Sequence, residues 1–114
     1  KEELAARSAL PSSSDGIRCP TGGAVCTVSG NLPCDHVVHA VGPDYHECSS
    51  GTGDALLDKA VRAAMAAADD VGAASVAMPL LSCGAFRADE DVRRLVKVIV
   101  GSNLPSVPLH PTVA

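Results

Sequence analysis

Aromatic residues are nearly absent: one Tyr, one Phe and no Trp stand among 114 residues. Two rings give no series of platforms on which the bases of a nucleic-acid strand could stack. No basic excess makes up for this, since the net charge is −4 and acids and bases are interspersed. General binding to DNA or RNA strands is therefore disfavoured. No apolar run approaches the ~20 residues of a membrane span. No signal-peptide pattern is visible, and the chain opens at Lys1 rather than a methionine, which leaves room for sequence upstream. The five cysteines, Cys19, Cys26, Cys34, Cys48 and Cys83, are odd in number and contain no CxxC pair. They read as small hydrophobes or ordinary thiols rather than a disulfide framework, which points to a reducing, intracellular compartment, cytoplasm or nucleus. Oligomeric state is not legible.

What the chain does have is small apolar residues. Apolar side chains make up 46% of it, mostly Ala and Val, so each buried side chain removes little surface from water. The length suits one domain, and a domain of this size is already short of burial. Residues 1–7 have helical propensity but are too few to be stable alone, and look like the tail of a longer helix. Residues 11–16 form a turn by composition. Residues 24–29, β-branched with rough alternation, predict a strand, and residues 36–41 a second one closed by Gly42 and Pro43. Residues 44–53 are polar and rich in Gly and Ser, a loop. A helix is predicted over 55–71, with Asp54 as N-cap, Gly72 beyond its end and an Asp58–Arg62 pair on its polar arc. Residues 75–80 form an apolar run without alternation, as a strand buried on both faces does. Pro79, which cannot donate to a ladder, belongs at its C-terminal end. A last helix over 89–100 carries acids first and bases later, apolar Val92, Leu95, Val96 and Ile99 on one face, and Gly101 as its stop. The tail has three prolines after Ser102 and at most a short strand near Val107. The order helix, strand, strand, helix, strand, helix predicts a layered α/β domain.

Chemistry concentrates in the segment from Ser82 to Arg87. A strand, a small-residue loop and a helix start would together turn backbone N–H groups toward an anion, with Gly84 allowing close approach. The same residues also fit an ordinary strand-to-helix turn with Phe86 as a core plug, the commoner outcome for so short a motif. Cys83 lies where a thiol pKa can fall, but no histidine is near in sequence and it is assigned no catalytic role. Gly51, Thr52 and Gly53 lack the remaining residues of a phosphate loop and read as a flexible linker. His36, His39, His46, Cys34 and Cys48 lack the ligand spacing of a structural zinc site, and His36 and His39 point to opposite faces of their strand. No metal ligands and no catalytic residues are assigned.

Three motifs, in order, resemble one family. Cys19-Pro-Thr-Gly-Gly-Ala24 with Thr27 resembles the C-x-T-G-x-A…T segment of macro domains. His36-Val-Val-His-Ala-Val-Gly-Pro43 resembles their V-I-H-A-V-G-P strand, and Met78-Pro-Leu-Leu-Ser-Cys-Gly-Ala-Phe86 their P-x-[IL]-S-x-G-[IV]-[FY] loop. The spacing between the motifs fits as well, and the likeness covers about residues 1 to 100.

The resemblance implies a three-layer α/β/α sandwich around a mixed sheet that binds ADP-ribose, with no other cofactor. Carried over by motif position, it implies that Ser82, Cys83, Gly84, Ala85 and Phe86 wrap the diphosphate and distal ribose. Pro79 and Leu80 would then line the cleft, with Arg87 beside it. Arg87 stands where a glycine is common in the family, which adds a cation near the phosphates or blocks the usual bend of the loop. The family's adenine-contacting Asp, its Asn-rich strand end and its Gly-rich first loop all precede the helix whose tail is residues 1–7, and none is in this sequence. The expectation is therefore a single partial macro-like domain over residues 1–114, incomplete at its N-terminus. It would bind ADP-ribose or mono-ADP-ribosylated protein. The alternatives are an ADP-ribosyl hydrolase in a longer parent chain, or a degenerate scaffold that binds only protein.

Overall fold

The computed structural model describes residues 19–103. The expected helical tail over 1–7, the turn over 11–16 and the strand near Val107 lie outside the described residues. Within them, β1 (Ala24–Val28) and β2 (His36–Ala40) form an antiparallel pair in which Ala24 faces Ala40 and Val28 faces His36. The β-branched run and its partner thus pair where the sequence placed them. Beyond the ladder, the Gly22 N–H donates to the Val41 carbonyl at 2.8 Å and the Val41 N–H to the Gly23 carbonyl at 3.1 Å. The register puts His39 opposite Val25 and His36 opposite Val28, on opposite faces as alternation requires.

Helix α1 (Ser50–Asp70) begins earlier than expected. Its N-cap is Ser49, whose hydroxyl accepts from the Thr52 N–H at 3.2 Å. The 51–53 segment, read as a flexible linker, is the helix's first turn. Asp54, read as the cap, lies inside the helix and points at neighbouring elements. The cause is tertiary: Gly53 is buried against Tyr45, and a Cβ there would clash with the ring edge. Packing thus overrides the low helix propensity of glycine. The far end is as predicted. Gly72 has φ +69, its N–H donates to Asp69, and the Ala73 N–H reaches back to Ala68, the paired bonds of a Schellman motif.

Helix α2 (Val92–Asn103) is shifted by three residues from the expected 89–100. Asp91 caps it, its carboxylate accepting from the Arg93 N–H at 2.9 Å, and the helix runs on through Gly101. Leu95 and Ile99 are buried as the periodicity requires.

The core is Tyr45, Leu57, Val61, Leu95 and Ile99, onto which Met78, Leu80, Leu81 and Cys83 pack. Helix α1 touches both strands and α2, so it is the element that joins the hairpin to the rest. The α/β class read from the sequence holds. The run over 75–80 differs from expectation: it has no regular secondary structure and pairs with no strand among the described residues. Its burial alternates, with Ser75, Ala77 and Pro79 exposed and Val76, Met78 and Leu80 half-buried. A continuous apolar run implies two covered faces only where something lies on both, and here one face alone meets the core. Among the described residues no helix is long and apolar enough to cross a membrane.

Candidate functional site

The chain leaves the 75–80 run through a strained turn. Ser82 has φ +61, an uncommon backbone region for a residue with a side chain. Its hydroxyl donates to the Pro43 carbonyl at 2.7 Å. Gly42 lies so close that a Cβ there would meet Ser82 Oγ. The end of the second motif therefore holds the middle of the third. A second clamp comes from Tyr45, whose N–H donates to the Phe86 carbonyl at 2.8 Å. Sequence reasoning missed Tyr45, although its being the only tyrosine in the chain was a visible signal.

Between these clamps, residues Ala85–Arg87 make one 3-10 turn, with the Arg87 N–H donating to the Gly84 carbonyl at 3.1 Å. Gly84, Ala85 and Phe86 are exposed. Their three consecutive N–H groups donate to no acceptor among the described residues. Successive unengaged N–H groups in a tight turn form an anion-binding concavity. The expected contribution of a helix N-terminus is absent. Helix α2 starts five residues after Arg87, and the Asp91 carboxylate already caps its N-terminus with negative charge. What the loop offers an anion is its own amides.

The eight residues expected at the site fall into four placements. Gly84, Ala85 and Phe86 form the open face, and Phe86, 48% exposed, is no core plug. Leu80 and Cys83 turn inward and pack on the core cluster, while Ser82 is engaged with Pro43. Pro79 lies apart, on a groove of about 300 Å³ between β2 and the 75–80 run, whose walls include Val37, His39 and Met78. Arg87 ends the turn, half-buried, with its Nε sealed from solvent and bonded to nothing.

Burial pushes the Cys83 thiol above its ordinary pKa, and the neighbouring Arg87 only partly opposes this. A helix start that would have lowered it is not there, so the expectation that its pKa falls is reversed. Below the loop, Asp54 accepts from Tyr45 Oη at 2.8 Å and pairs with Arg94, which also holds Glu90. The Arg94 bond, reinforced by Tyr45, keeps the Asp54 carboxyl below its usual range. Burial, with Asp54 adding to it, pushes the Tyr45 phenol up. This network ties the base of the loop to both helices. Thr27 Oγ1 and His39 Nε2 lie 2.8 Å apart across the hairpin. Among the described residues no three His, Cys, Asp or Glu side chains converge as a metal site would require.

A profile of the macro domain family matches residues 3–95. A macro domain-containing protein of Vibrio parahaemolyticus is 40% identical over 72 residues, covering 63% of this chain and 41% of its own length. An O-acetyl-ADP-ribose deacetylase of Enterobacter cloacae is 40% identical over 73 residues, covering 60% of this chain and 37% of its own. The macrodomain of Oceanobacillus iheyensis, solved with ADP, superposes with a TM-score of 0.74 at 21% identity over 87% of this chain and 53% of that one. The chain thus spans about two fifths of the length of these two relatives.

Proposed function

The chain belongs to the macro domain family, and from that we propose that its 82–86 loop binds the diphosphate and distal ribose of ADP-ribose, free or attached to protein. The observation that carries the reading is the row of three exposed, unengaged N–H groups at Gly84, Ala85 and Phe86. Such amides match phosphate oxygens in geometry and charge without needing a basic side chain. The exposed Phe86 ring offers an apolar face to a ribose beside them. Ser82 and Cys83 support the loop from below, and Pro79 and Leu80 form the approach to it. The whole is taken as one partial domain over residues 1–114. Five free thiols fit an intracellular setting.

Hydrolysis is the second reading, favoured by the deacetylase among the relatives, and it concerns a longer chain carrying this segment. Release of ADP-ribose from a mono-ADP-ribosylated protein tests it. The loop itself supplies binding groups and a thiol held toward its neutral form.

The binding reading is tested by titration calorimetry with ADP-ribose on the wild type and on Gly84→Val. A Cβ at Gly84 meets nothing within 4 Å, but its φ of −92 and ψ of −126 lie between the α and β regions, so a side chain there carries backbone strain. The substitution should therefore cost about 1–3 kcal/mol of stability, so a melt first checks that the variant is folded, while the added methyls crowd the diphosphate and weaken binding about tenfold or more. No heat at millimolar ADP-ribose from folded wild-type protein would sink the reading and leave the protein-only scaffold. Unchanged affinity in the variant would remove this loop from the site.

A further inference from the structure

Among the described arginines, Arg87 alone is both half-buried and without an acidic partner. Arg62 bonds Asp58, Arg94 bonds Asp54 and Glu90, and Arg93 is exposed. Of the acids that follow Arg87, Glu90 holds Ser50 and Arg94 and Asp91 caps α2, while Asp89 is exposed and forms no ion pair with it. Its Nε is closed off from water with no acceptor. A covered guanidinium N–H without a partner is an unfavourable resting state, because its hydration has been removed and nothing has replaced it. Any arrangement that supplies an acceptor is favoured over it.

The position of Arg87 says where that acceptor would come from. It closes the same 3-10 turn whose preceding three residues present the unengaged amides, and its own N–H is fixed to Gly84. The residue is half-buried, and its charge partly opposes the upward shift of the Cys83 thiol. Cation and amide row are therefore parts of one short turn. We propose that the Arg87 side chain reorients when ligand arrives, freeing its covered Nε, and holds the diphosphate of a nucleoside-diphosphate sugar, its planar fork taking two phosphate oxygens. This rests on the reading of the 82–86 loop as the phosphate cradle. The fork geometry matters, because guanidinium meets phosphate through two parallel bonds where an ammonium offers a point charge. A side-chain rotamer change of this kind is common on binding. The consequence is a ligand preference: two adjacent phosphates engage both amides and guanidinium, whereas an uncharged nucleoside engages neither.

The test titrates wild type, Arg87→Gln and Arg87→Lys with ADP-ribose and with inorganic pyrophosphate at low and high salt. Arg87→Gln should lose about tenfold or more in affinity for both, as expected for a charge-assisted bond, and its binding should become less salt-dependent. Arg87→Lys should keep the salt dependence and recover only part of the affinity. In the wild type, the Arg87 Nε–H resonance should shift with pyrophosphate and stay fixed with adenosine, a readout that does not depend on any variant folding. Wild-type affinity and salt dependence in Arg87→Gln, or an unmoved Nε–H at saturating ADP-ribose, overturns the inference while leaving the loop as a binding site. Absence of wild-type binding to either probe overturns both.

Discussion

Gly53 packs against the ring of Tyr45, and no other residue fits there, because a Cβ would clash with the ring edge. Tyr45 is buried and holds the loop through its N–H and helix α1 through its hydroxyl. Displacing it therefore disturbs two elements at once. Gly53→Ala should destabilise the protein by about 1–3 kcal/mol, the usual cost of overpacking, although alanine is the better helix former. A thermal melt checks this, and an unchanged or raised Tm would show that the ring has room to move. These residues also show why part of the site was hidden in the sequence. Gly51, Thr52 and Gly53 have the composition of a linker, and only the ring packed on Gly53 explains why they are helical. Arg87 was visible as a departure from its family motif, but its covered, unpartnered Nε was not, since that depends on which acids the fold has already paired.

At the scale of elements, α1 and α2 are joined by polar as well as apolar contacts. Asp54 and Glu90 share Arg94, and Asp58 takes a bond from Ser102, which is 1% exposed and also donates to the Val98 carbonyl. Removing that hydroxyl in Ser102→Ala leaves the Asp58 carboxylate with Arg62 alone and should cost about 1 kcal/mol in denaturant unfolding; no change would mean that water replaces it freely. All three carboxyls titrate below their ordinary values: Asp54 through Arg94, Asp58 through Ser102 and then Arg62, and Glu90 through Ser50 and then Arg94. A carboxyl depressed in the folded state stabilises fully above its unfolded value and loses that contribution as pH falls through its folded value. Stability should therefore be level above about pH 5 and fall below about pH 4. The loss should be shallower in Arg94→Leu, whose carboxyls no longer share a cation. An acid limb of equal depth in that variant would exclude Arg94 as its source.

The periodic signals were legible at this same scale, and the end signals less so. Leu95 and Ile99 fell where their spacing put them, and Gly72 ended α1 through its φ of +69. Both helices nonetheless start away from the expected residue, because several side chains near each start can cap. Ser49 rather than Asp54 does so in α1, and Asp91 does so in α2. Asp54 reads as a cap in sequence because its partners, Tyr45 and Arg94, are nine and forty residues away. The 75–80 run reads as a strand covered on both faces because sequence reports hydrophobicity and not what lies opposite. The helix dipole expected at the loop was lost for a similar reason: residues 88–91 intervene before α2.

For the whole molecule, helix α1 links a two-stranded hairpin to a core of five large side chains, and the third motif crosses that core to present its loop. The motif order carried more information about function than the element pattern did. Pro43 and Ser82 are 39 residues apart, yet they share a hydrogen bond that makes the second and third motifs one structure. A ligand that binds the folded loop and not the unfolded chain must raise the melting temperature by mass action, so ADP-ribose should stabilise the wild type and stabilise Gly84→Val less. The measurement that tests the loop assignment most directly is backbone amide shift mapping by NMR during titration with ADP-ribose. The amides of Gly84, Ala85 and Phe86 should move most, saturably, with smaller shifts at Tyr45 and Ser82 through their contacts to the loop. Saturable binding whose largest shifts fall elsewhere, with those three amides unmoved, would contradict it.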